Sequence, residues 1–89
     1  MEIDDIFLKH YPQMDLHGVD RDSARMMTND FVNENVILEN SVILIMHGIG
    51  SGIVKQACHD ALRENKNVVS FKTDNFNHGL TIVELKKYS

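Results

Sequence analysis

Hydrophobic and polar positions divide the chain into segments of two different periods. In "QMDLH", Met14 and Leu16 alternate with Asp15 and His17, which is the period of a strand with one apolar face. Asp15 and His17 share the other face. Gly18 breaks the strand, Asp20 can cap, and Ala24, Met27 and Phe31 fall at helical spacing toward about residue 38. "SVILIMH" is apolar without alternation, as expected of an interior strand covered on most sides. A second helix follows "GIGSG", with Ile53, Ala57 and Ala61 on one ladder and Val54, Cys58 and Leu62 on the next, so that a wide stripe faces a core. Asn65 and Asn67 mark its exit. "VVSFK" and "LTIVELK" then read as two strands joined by the polar loop "TDNFNHG".

The order is β-α-β-α-β-β. A helix after each of the first two strands predicts that these strands run parallel through right-handed crossovers. The fold class is therefore α/β, a two-layer sandwich with a four-stranded mixed sheet and two helices on one face. Residues 1–12 end at the only proline and form an N-terminal arm, either a turn of amphipathic helix or a docked segment. Residues 13–89 form the domain.

Composition bounds this picture. With 89 residues the chain has room for one core, and 43% hydrophobic and 25% charged residues are ordinary for a folded soluble domain. The N-terminus "MEIDDIFLKH" is acidic where a secretory signal is basic, and no apolar run approaches the roughly 18–20 residues that span a bilayer. A cytoplasmic protein without a membrane partner is expected. The single cysteine, Cys58, excludes an internal disulfide and a multi-cysteine metal knot, and its place on the inward helical ladder reads as core. The formal charge of -4 argues against a general grip on nucleic acid, but Glu2, Asp4 and Asp5 carry much of it and the remainder has 10 acids against 9 bases. Any contact with nucleic acid is then local.

The dipeptide His-Gly recurs at 17, 47 and 78, and its first two instances occupy the same place, a strand exit ahead of a helix. Ligands of open α/β sheets bind at such carboxyl ends. His17 and His47 are candidates for proton transfer, because imidazole titrates near neutral pH, with both rings expected to point away from the core. Asp15 can orient His17, or it can merely cap a turn. Gly48, Gly50 and Gly52 let a ligand approach the backbone ahead of a helix N-terminus, where a phosphate fits, with Ser51 adding a hydroxyl and Lys55 a cation. Gly50 is expected to take positive φ, and Gly52 to tolerate alanine better. The loop bearing His78 and Gly79 can fold over the same strand ends, and His10 and His59 read as solvated or structural. His17, His47, His78 and Asp15 are acceptable metal ligands but match no compact metal motif. No cofactor is called for, and a divalent metal requirement stays open. "GIGSG" is not followed by the Gly-Lys-Ser/Thr of a P-loop.

"MDLHG" at 14–18, "HGIGSG" at 47–52 and "LTIVEL" at 80–85, in this order and spacing, resemble the small MutS-related (Smr) domain family over about residues 13–87, in a stand-alone bacterial-type form. The resemblance implies a fold like the C-terminal domain of bacterial translation initiation factor three and an endonuclease that nicks DNA or cleaves RNA. Asp15, Leu16, His17 and Gly18 match the signature that the family ties to cleavage; His47, Gly48, Gly50 and Gly52 match its glycine-rich signature; Lys55 falls where a basic residue is common. Ile49 stands where the family is commonly basic, and Phe76 and Asn77 stand where many members have two glycines. The expected partner is RNA or DNA, free or in a ribosome or other ribonucleoprotein. A non-catalytic nucleic-acid or ribonucleoprotein binding module is the alternative, and a protein-protein adaptor is a third reading.

Overall fold

Each element forms where the hydrophobic period places it. The structure, a computed structural model, describes residues 10–88, so most of the N-terminal arm lies outside the described residues. Strand β1 spans Gln13–Asp15 and helix α1 spans Arg21–Ile37. Asp20 caps α1 by accepting the Ser23 backbone N–H at 2.7 Å, which satisfies one of the amides that a helix start leaves unpaired. Strand β2 (Val42–Met46), helix α2 (Ile53–Glu64), strand β3 (Val68–Thr73) and strand β4 (Leu80–Leu85) follow. The order is the expected β-α-β-α-β-β.

The sheet runs β1-β2-β4-β3. β1 and β2 are parallel with Asp15 opposite Met46, as their helical crossover requires. β4 is antiparallel to β2 and to β3, so the final hairpin inserts its second strand beside β2. One consequence governs the site: the ends of β1, β2 and β3 and the start of β4 all lie at one edge of the sheet.

Both helices cover one face. Leu16, Ile43, Ile45, Val83 and Leu85 pack there against Ala24 and Val32 of α1 and Ala57, Cys58 and Leu62 of α2. Burial pushes the Cys58 thiol up to about 11, so this cysteine is an inert core residue. Leu44, Leu80 and Ile82 form a smaller cluster on the opposite face with Tyr11 and Val42. β2 therefore buries apolar side chains on both faces, which is why its sequence does not alternate. Among the described residues no helix is long and apolar enough to cross a membrane.

Candidate functional site

Three connections meet at the carboxyl edge: the turn after β1, the glycine segment after β2, and the β3–β4 loop. The backbone N–H groups of His47 and Gly48 both donate to the Gly79 carbonyl, at 2.9 and 3.1 Å. A Cβ on Gly79 would meet the Gly48 backbone at 3.2 Å, so two main chains touch where only glycine fits easily. Within the loop, Asp74 accepts the Asn77 N–H at 2.9 Å and the Asn77 side chain accepts the Gly79 N–H at 3.0 Å. The loop thus lies on the strand ends through Gly79, while His78 is exposed.

At the end of β1, Leu16 is buried and donates its N–H to the Met46 carbonyl at 2.7 Å. That contact places His17, which is exposed, beside the exit of β2. The Asp15 carboxylate accepts the His17 backbone N–H at 2.8 Å, so it shapes the strand exit through the main chain of His17.

His47 behaves differently. Strand parity puts it in the row of Ile43 and Ile45, facing the helices, and it is only 6% exposed. This corrects the expectation that both imidazoles point away from the core. Its Nδ1 lies 3.1 Å from the Gly48 carbonyl and its Nε2 lies 2.7 Å from the Thr81 hydroxyl. Both ring nitrogens are engaged. Burial lowers its pKa, the Gly48 carbonyl opposes that shift, and the Lys55 charge adds to it, so the ring is held neutral.

Two further residues, Thr81 and His59, complete this buried contact. Thr81, fully buried on β4, also meets His59 of α2, whose Nε2 lies 2.7 Å from the same hydroxyl. The two rings stand edge to face with centroids 5.6 Å apart. His59 thus resolves as structural. Thr81 shares the period-2 row of Val83 and Leu85, and a hydroxyl in an apolar row is a signal that a buried partner exists. His59 lies one helical turn beyond Lys55, on the side of α2 that meets the sheet edge.

The glycines divide unequally. Positive φ occurs at Gly48 (79°) and at Gly52 (87°), and Gly50 lies outside that region. The expectation for Gly50 is corrected: the left-handed turn out of β2 is made at Gly48, and the one into α2 at Gly52, the helix N-cap. Gly52→Ala is therefore expected to cost about 1–2 kcal/mol through backbone strain, whereas Gly50→Ala, with open space around the new methyl group, stays within about 0.5 kcal/mol. Denaturant midpoints of the two variants check this ordering.

These segments enclose a cleft of about 450 Å³ bordered by His17, His47, Gly48, Gly50, Ser51 and Lys55. A second hollow of about 360 Å³ is bordered by Asp15, His17, Ile49, Asn77 and Gly79, so His17 stands between the two. The first intrahelical bond of α2 runs from Gln56 N to Gly52 O at 2.9 Å, which leaves the amides of Val54 and Lys55 without a helical acceptor. The Ile53 amide reaches Ser51 Oγ only at 3.5 Å, and no acidic side chain stands in the first turn. Such a helix start suits an anion. Asp15, His17, His47 and His78 do not gather: among the described residues no three His, Cys, Asp or Glu side chains are grouped as metal ligands.

The buried imidazoles also set a pH dependence. The His59 pKa is pushed down to about 4, first by burial, then by its neighbours His47, Lys55 and Arg63, with Asp60 opposing. Both histidines fold neutral, while the unfolded chain protonates them near pH 6.5. Stability is then fully present above about pH 6.5 and falls as pH drops toward about 4. Melting temperatures across that window are expected to decline, and His59→Gln to flatten part of the decline.

Comparison with known proteins agrees with this architecture. The family model described as Smr domain matches residues 14–86. Endonuclease MutS2 of Clostridium acetobutylicum is 32% identical over 76 residues, which cover 82% of this chain but 10% of that protein. The chain thus spans about a tenth of the length of the curated relatives it matches. The crystal structure of the Smr domain of Thermus thermophilus MutS2 superposes with a TM-score of 0.80 at 32% identity, covering 84% of this chain and 98% of that one. YdaL, a stand-alone small MutS-related protein from Escherichia coli, shares the fold at a TM-score of 0.80 and 23% identity over 92% of this chain and 73% of its own. The match over nearly all the described residues places this chain in the Smr domain family.

Proposed function

We propose that this domain cleaves phosphodiester bonds of nucleic acid in the cleft at the carboxyl edge of the sheet. The observation that carries the reading is the placement of an exposed imidazole, His17, on the same cleft as the unpaired amides that start α2 and the Lys55 side chain. A phosphate seated on the amides of residues 53–55, with Ser51 and Lys55 beside it, presents its phosphorus near His17. On RNA, His17 takes the proton of the 2′-hydroxyl, the 2′ oxygen bonds phosphorus, and the bond to the 5′ oxygen breaks as that oxygen takes a proton from water. The products are a 2′,3′-cyclic phosphate and a 5′-hydroxyl. On DNA the attacking group is water: His17 takes its proton, the water oxygen bonds phosphorus, and one phosphorus–ester oxygen bond breaks as the leaving oxygen takes a proton from solvent. His47, with both nitrogens engaged, supports the Gly48 turn and leaves proton transfer to His17. Asp15 supports the His17 main chain.

The MutS2 relatives are named endonucleases, and this supports the reading for the domain that they share. RNA is the favoured substrate, and a ribosome or other ribonucleoprotein is an acceptable setting for it. The engagement of both His47 nitrogens also favours a second reading, a module that binds nucleic acid without cutting it.

An NMR titration with inorganic phosphate tests the seat. Amide shifts are expected at residues 48–55, together with the His17 ring signals. Shifts confined to other residues would place the anion elsewhere.

Binding should weaken with salt along a shallow slope set by about 2–4 phosphate contacts, because the body of the domain is nearly neutral. Ile49 is 74% exposed at the rim of the second hollow. Ile49→Lys is expected to tighten binding severalfold across all sequences and to steepen the slope by about one contact. Fluorescence anisotropy across a salt series reads both effects.

A further inference from the structure

The hydrogen bonds around Thr81 determine which nitrogen carries the proton on each buried imidazole. A carbonyl oxygen can only accept, so the 3.1 Å contact from His47 Nδ1 to the Gly48 carbonyl requires a proton on Nδ1. A neutral ring then has a bare Nε2, and the Thr81 hydroxyl must donate its single proton to it across 2.7 Å. With that proton committed, the Thr81 oxygen can only accept from His59, whose Nε2 lies 2.7 Å away and must therefore be protonated. The chain runs in one direction, from His59 Nε2–H to Thr81 O–H to His47 Nε2, and then from His47 Nδ1–H to the Gly48 carbonyl. Reversing it would break the contact with Gly48, the residue whose positive φ turns the chain out of β2.

We infer that His59 is a positioning residue, which acts through the Thr81 hydroxyl to hold His47 in its Nδ1-protonated form and so fixes the Gly48 turn of the glycine segment. The assignment needs no other group at the dyad. The charged side chains around His59 are Lys55 and Arg63, from its own helix, and Asp60 beside it, while β3 supplies Phe71, whose ring lies 4.9 Å from that of His59. Aromatic contacts thus cover the ring on two sides, leaving the hydroxyl as the polar partner given to Nε2. Only the effect on phosphate affinity rests on the proposed function. The tautomer and the shape of the segment do not.

The test is a long-range nitrogen–proton NMR correlation on protein labelled with nitrogen-15 at histidine, recorded above about pH 7, where both rings are neutral. The expected spectrum has His47 protonated at Nδ1 and His59 protonated at Nε2. A proton on His47 Nε2 overturns the inference without need of any variant. His59→Gln offers an amide N–H to Thr81 and is expected to keep the His47 tautomer and the Gly48–Lys55 amide positions. His59→Leu offers no donor and is expected to give averaged His47 nitrogens, shifted Gly48–Gly52 amides, and a several-fold weaker affinity for inorganic phosphate. Thr81→Val, which removes the hydroxyl, should reproduce the His59→Leu spectrum, and Thr81→Ser should not. If His59→Leu folds with the His47 nitrogens unchanged, His59 is a packing residue only and the inference fails. If the predicted tautomers appear in a protein that cuts no nucleic acid, the nuclease reading fails and the positioning role stands.

Discussion

Replacing His17 with alanine is expected to slow cleavage by about 10²–10⁴-fold while leaving stability within about 0.5 kcal/mol of the parent protein. The first figure is the usual worth of a positioned general base. The second follows from the surroundings of the ring, which is exposed, whereas the backbone N–H of the residue supplies its bond to Asp15. An alanine keeps that N–H, so the strand exit should survive. The loss should fall on kcat, since the phosphate seat is made by other residues. Asp15→Asn is expected to slow the reaction less, because the amide oxygen can still accept the same N–H. Single-turnover rates with thermal melts as a control separate lost chemistry from lost structure.

The second large effect is of another kind. His47→Ala should destabilise the fold by about 2–3 kcal/mol, because it removes a buried ring and leaves the Thr81 hydroxyl without an acceptor for its proton. The sequence alone puts His17 and His47 in one class, as paired strand-end groups. The structure separates them: one is an exposed group poised at a cleft and the other is a buried strut behind it. His47→Ala should accordingly weaken phosphate affinity along with stability. Urea titration gives the first quantity and anion titration the second. If His47→Ala keeps its stability and its affinity but loses its rate, His47 takes part in the chemistry directly.

Much of the fold was legible because the hydrophobic period changes with each element. The alternation of Met14 and Leu16 and the unbroken run of β2 correspond to one buried face and two. The parallel pairing of β1 and β2 follows from the helix between them. The place of β4, inserted between β2 and β3, was not legible, since a hairpin written along the chain does not state which of its strands meets the rest of the sheet. The burial of His47 was within reach of strand parity with Ile43 and Ile45. The glycines that follow it mark a strand exit, where a ring turned toward a ligand is the expectation instead. The exchange of roles between Gly50 and Gly52 depends on where the helix takes its first carbonyl, and "GIGSG" offers three candidates with no side chains to tell them apart. The contact of His47 with Thr81 and His59 brings together three segments far apart in the chain. A hydroxyl among β-branched residues is a weak mark for it until the register of β4 against β2 is known.

The most direct test of the account is single-turnover incubation of the protein, in excess, with end-labelled RNA and DNA in single-stranded, duplex and branched forms, with and without a divalent metal. Discrete cleavage products are expected from at least one of these substrates, at a rate that His17→Ala lowers by at least about 10²-fold with binding retained. Salt-sensitive binding of the same substrates with no product at any time, or a His17→Ala protein that cuts as fast as its parent, would contradict it.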